Sequence, residues 1–134
     1  MRAVVLAMLV SSLTAGCATN LITGRTQLQI ASDESVIRES KTWYRSVMNE
    51  YHAKGQLKAK PDIVQRAVNI SNRLIDQAVV LRPDSAQWDW DLEVINSKEL
   101  NAFCMAGGKM AIYTGLIDEL KLSDDEIAAV MGHE

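Results

Sequence analysis

No block of lysine or arginine stands out in this sequence, and its formal net charge is −3. A basic stripe able to track a phosphate backbone is absent, which argues against a nucleic-acid partner. Proline and glycine are sparse, at 2 and 7 of 134 residues. With no internal repeat and no low-complexity tract, that composition excludes a disordered chain. Phosphate-cradling glycine patterns are missing as well: Gly107-Gly108 fits neither G-x-G-x-x-G nor the P-loop, so no nucleotide partner is expected. Cysteine occurs twice, at Cys17 and Cys104. No apolar run approaches the roughly 20 residues that a membrane-spanning helix requires. What remains is an ordinary globular composition, 48% hydrophobic and 23% charged, in a chain long enough for one compact domain.

The N-terminus stands apart from this. Arg2 supplies a positive charge, Ala3 to Val10 is unbroken apolar sequence, and a weaker apolar stretch follows through Leu13 to Ala15. The pattern fits the hydrophobic region of a secretory signal, with residues 1–16 as the signal peptide. Leu13-Thr14-Ala15-Gly16-Cys17 resembles the lipobox of bacterial lipoproteins, although Thr14 departs from the usual aliphatic residue. The resemblance implies cleavage after Gly16 and acylation of Cys17; the alternative is a plain signal peptide with an incidental cysteine. Each buried methylene contributes about 0.8 kcal/mol, so two or three acyl chains anchor stably where one does not. By resemblance to the lipoprotein sorting rule, Ala18 after the cysteine implies the periplasmic face of the outer membrane. Cys104 is then the single remaining thiol, and residues 17–31 form a lipid-anchored linker.

From Asp33 the sequence becomes periodic. A helix is predicted over 33–53, with Ser32 as cap, Asp33 and Glu34 in the first turn and Gly55 as stop. Its apolar face is expected to use Val36, Ile37, Trp43, Tyr44, Val47, Met48 and Tyr51. His52 near its end could ligate a metal, but it lacks a partner at ligand spacing and reads better as a surface histidine. A second helix is predicted over 61–80, started by Pro61 and ended by Arg82-Pro83. The period then changes to two: Trp88, Trp90, Leu92 and Val94 alternate with Asp89, Asp91 and Glu93. This predicts a strand with one acidic face, which is either its solvated side or a cation site, the former preferred. Asn96 to Leu100 turns the chain, and a further strand is expected over Lys109–Tyr113. Cys104, between Phe103 and Met105, is a ligand, a reactive thiol or, the preferred reading, a small buried hydrophobe.

The last residues are the most specific. Ser123 and Glu126 form a capping box, Leu122 and Ile127 occupy the staple positions, and Asp124 and Asp125 face the positive end of the dipole. A helix therefore starts at 124, and it ends in His133-Glu134. A His-Glu pair alone is a weak signal.

Three stretches together carry more: Asn101-Ala102-Phe103-Cys104, then Gly107-Gly108-Lys109-Met110-Ala111-Ile112-Tyr113-Thr114-Gly115-Leu116, then Asp124 through Glu134. They resemble the catalytic core of the membrane-associated zinc metallopeptidase family of HtpX, LoiP and BepA, peptidase family M48. The resemblance implies an α+β, zincin-like fold: mostly helical, with a small sheet whose edge strand precedes the active-site helix. It implies one zinc ion, His133 as its first ligand and Glu134 as the catalytic general base of an H-E-x-x-H motif. It implies that Lys109, Met110, Ala111, Ile112 and Tyr113 form a substrate-binding edge strand, to which polypeptide substrates add. On this pattern the second histidine falls three residues beyond Glu134. The catalytic domain, 32–134, is expected to be incomplete and inactive by itself. The implied function is a zinc endopeptidase of the bacterial envelope acting on unfolded or misassembled proteins. The alternative is a non-catalytic, lipid-anchored polypeptide-binding lipoprotein, like a holdase.

Overall fold

A computed structural model describes residues 17–19, 26–28 and 31–134. The apolar run and the small residues before Cys17 lie outside the described residues. The chain divides into two compact units, Met1–Ser32 and Asp33–Glu134. In the first, β1 (Cys17–Thr19) pairs antiparallel with β2 (Thr26–Leu28), setting Cys17 opposite Leu28. Among the described residues, no helix is long and apolar enough to cross a membrane.

The second unit is a three-layer α+β arrangement. α1 (Asp33–Ala53) covers one face of a sheet, and α2 (Pro61–Leu81) lies on the other. α1 stops as its sequence dictates. Gly55 takes φ +70°, its N–H bonds to His52 O, and the Gln56 N–H reaches back to Tyr51 O, so the last carbonyls are satisfied by a glycine-dependent turn. α2 starts at Pro61, where no amide is needed, and ends before Pro83, which opens a short 3-10 turn over Pro83–Gln87. Strands β3 (Asp91–Ile95), β4 (Ala102–Met105) and β5 (Lys109–Tyr113) follow, then the short α3 (Thr114–Asp118) and α4 (Asp124–His133).

The strand order is β3-β5-β4. β5 runs parallel to β3 and antiparallel to β4, with Val94 and Ala102 both paired to Ile112. The expected edge strand Lys109–Tyr113 is therefore the central strand, and all five of its residues are buried. The reason is the β4–β5 hairpin: β4 folds back along one side of β5 while β3 already occupies the other. Unbroken burial on both faces also explains why this segment shows no polar alternation.

Two apolar clusters result. Val94, Met110 and Ile112 pack with Ala67 and Ile70 of α2 and with Ile127 and Met131 of α4. On the opposite face, Ile95, Ala111 and Tyr113 pack with Tyr44 and Met48 of α1. Ile112 and Ile127 are fully excluded from water, each contributing roughly 1.5–3 kcal/mol by apolar burial. The acidic alternation marks a solvated side at Asp89 and Asp91, which are exposed, but not along its whole length. Glu93 is half-buried on the α1 side, where burial first and Asp91 second push its carboxyl above the usual range. Trp88 and Trp90 precede β3 rather than belonging to it. Trp90 turns back and donates its indole N–H to Ser85 O at 2.8 Å.

Candidate active site

The N-terminal end of α4 is fastened twice. Ser123 accepts from the Glu126 amide at 3.4 Å, while Glu126 accepts from the Ser123 amide at 2.8 Å, which completes the capping box. From α2, Arg66 donates through Nε to Asp124 Oδ1 at 2.6 Å and through a second nitrogen to the Leu122 carbonyl at 2.7 Å. Burial of Ile127 and Met131 then sets the rotation of the helix, and the Ser71 hydroxyl lies 3.6 Å from the Met131 sulfur. With that face committed to the core, His133 and Glu134 are left exposed at the far end of α4.

That end lies within electrostatic reach of β4. Burial raises the Cys104 thiol, and the negative charge of Glu134 raises it further. Cys104 and Ala102 point to the α4 face of the sheet, Phe103 and Met105 to the α1 face. β4 pairs only with β5 among the described residues, so its outer side is an open edge. The sequence already held a sign of this strand: two short β-prone runs separated by a loop containing Gly107 and Gly108 mark a hairpin.

The residues first assigned to a substrate edge have other tasks. Lys109 is 5% exposed, and its ammonium donates to the Asp89 carbonyl and pairs with Asp89 Oδ2 at 3.1 Å. Asp89 also receives Lys41 of α1 at 2.7 Å, and these two lysines hold its carboxyl down at about 2. Met110 offers its carbonyl to the Tyr44 hydroxyl at 2.9 Å. Burial raises the Tyr44 phenol well above its ordinary value, and Asp91 and Glu93 add to this. Ala111 and Ile112 are core residues. Tyr113 shares a 2.7 Å hydroxyl contact with Tyr51, and its phenol is raised by burial and by that contact. His52 is an exposed residue of the last turn of α1, remote in sequence from the His-Glu pair.

The profile of "Peptidase family M48" matches residues 64–134, more than half of the chain. The chain belongs to peptidase family M48. Three relatives agree. The chain is 47% identical over 45 residues to the mitochondrial metalloendopeptidase OMA1 of Arabidopsis thaliana, covering 34% of this chain and 9% of that protein. It is 45% identical over 42 residues to the metalloprotease LoiP of Escherichia coli (strain K12), covering 31% and 16%. It is 26% identical over 114 residues to the mitochondrial metalloendopeptidase OMA1 of Bos taurus, covering 84% and 21%. The chain thus spans about a fifth or less of the length of these relatives. No solved structure matches it significantly.

An M48 chain implies a metal, and the side chains can be tested for fit. His133 has an exposed imidazole, so a ring nitrogen is accessible to a metal ion. Catalytic zinc, however, takes three protein ligands. Among the described residues, no three His, Cys, Asp or Glu side chains converge. The described residues do not by themselves make up such a ligand set.

Proposed function

We propose that this M48 chain carries the first part of the active site of a zinc-dependent endopeptidase. The single observation behind the reading is that α4, pinned at its start, delivers the adjacent His133 and Glu134 beside an open strand edge. In this reading His133 is the first zinc ligand, and the described residues do not complete the ligand set. Glu134 acts as general base. Its exposed carboxylate accepts a proton from the attacking water and returns it to the departing amine. The polypeptide substrate adds to β4 rather than β5, because β4 offers unpaired N–H and C=O groups along its outer side.

The location follows from the N-terminal sequence. An acylated Cys17 holds the protein on the envelope, at the periplasmic face of the outer membrane, where unfolded or misassembled proteins are its substrates. The holdase-like alternative has one observation in its favour: the open edge is complete within the described residues, whereas the zinc ligand set is not.

The test uses the full-length protein. Glu134→Gln is expected to abolish cleavage of an unfolded protein substrate while zinc content, read by mass spectrometry, stays at wild-type level; His133→Ala is expected to lose the zinc. Retained cleavage by Glu134→Gln contradicts the general-base role. Cys17→Ser is expected to release the protein from the membrane fraction.

A further inference from the structure

We propose that Trp43 of α1, with Phe103 and Met105 of β4, forms a side-chain subsite that selects extended polypeptides carrying large apolar residues at alternate positions; this rests on β4 being the substrate edge. A strand added to β4 continues the pleat, so its side chains point alternately to the two faces of the sheet. Those on one face meet Cys104 and the Glu134 end of α4. Those on the other meet whatever lies beside Phe103 and Met105 on the α1 side.

What lies there is a groove of about 750 Å³, lined by Trp43, Thr42, Ser46 and Met105 among others. It is continuous with the open edge, because Met105 belongs to both. Trp43 remains 54% exposed, although the next residue, Tyr44, is buried. Its ring meets Phe103 edge-on at 6.3 Å between centroids, which sets it beside the β4 margin. Arg38 and Glu39 bring one charge of each sign to the same groove, which leaves no net preference for a charged guest. Among polar neighbours such as Ser40, Thr42 and Ser46, the Trp43 ring and the Met105 thioether supply the apolar contact, which favours Phe, Leu or Met.

The experiment uses full-length protein carrying Glu134→Gln, so that peptides are bound and not cut. Short fluorescent peptides carry Phe or Ser at every second position, in both registers, and binding is read by anisotropy. A Phe preference of about tenfold is expected in the better register, the order that hydrophobic pockets reach. It should fall to near unity with Trp43→Ser and return with Trp43→Phe. The exposed position of Trp43 leaves the α1 core face intact, and circular dichroism checks this. No Phe preference, or a preference that Trp43→Ser leaves unchanged, overturns the proposal. Cleavage by the otherwise wild-type protein is scored separately: selective binding without cleavage keeps the subsite and rejects the protease, and cleavage with unaltered selectivity does the reverse.

Discussion

Replacing Gly108 by alanine tests the hairpin that creates the open edge. Gly108 sits at φ +74°, where a β-carbon costs about 1–2 kcal/mol. The added methyl would also overlap the indole of Trp90. Trp90 cannot easily swing away, because its N–H is bonded to Ser85 O and its ring lies 5.4 Å from that of Trp88. Nor can the peptide flip freely: the Gly108 N–H donates to Met105 O at 3.1 Å, and Gly108 O accepts from the Asp91 amide at 3.0 Å. Overpacking of this kind costs roughly 1–3 kcal/mol. The two effects together predict a loss of about 2–5 kcal/mol, a large part of the 5–15 kcal/mol typical of a domain. Gly55→Ala is the internal control. Gly55 has nearly the same backbone, at φ +70°, but nothing lies within 4 Å of its would-be β-carbon, so only the backbone cost of about 1–2 kcal/mol applies. Urea unfolding of the full-length protein, followed by tryptophan fluorescence, measures both. Equal losses at Gly55 and Gly108 would refute the Trp90 overlap, and a loss below about 0.5 kcal/mol at Gly108 would refute the backbone argument as well.

Three other outcomes follow. Asp89→Asn should lower stability, because it removes the carboxylate that faces Lys41 and the buried Lys109. The Asp89 carboxyl is depressed to about 2 in the folded state, so its contribution is present above its unfolded value near 4 and is lost as pH falls toward 2. Thermal melts across that window should be steeper for wild type than for Asp89→Asn. Ser123→Ala should cost about 1 kcal/mol through the lost cap, read as a lower urea midpoint with unchanged slope. In metal-free protein, Glu134→Gln should lower the pH at which Cys104 reacts with an alkylating reagent, since the Glu134 charge raises that thiol; an unmoved midpoint would place the end of α4 away from β4.

The elements whose signals are local were legible in the sequence. α1 spans 33–53 and stops at Gly55 as the sequence indicates, and the capping box of α4 forms as Ser123 and Glu126 require. Failures arose where a strand's neighbours decide. Lys109–Tyr113 reads the same whether it is an edge or a centre. Lys109 even favours the edge, because a lysine is expected in water; here Asp89 answers its charge from the adjoining loop. Trp43 was misassigned to the core face of α1 for a related reason. Helical spacing puts it close to Tyr44, and only the short width of the sheet beneath, ending at β4, leaves it uncovered.

The exchange of edge for centre makes the site more coherent. A central β5 is clamped on both sides and buried on both faces, so it serves as a rigid ruler for its neighbours. β4 inherits its register from that ruler through the Cys104–Met110 pair. α4 is held against the same ruler through Met110 and Ile112, which share a cluster with Ile127 and Met131. The open edge and the His133-Glu134 end are thus both packed against one strand. If the proposed substrate bonds to β4, its backbone is set at a defined distance from Glu134, and positioning of this kind can supply a large part of a catalyst's rate.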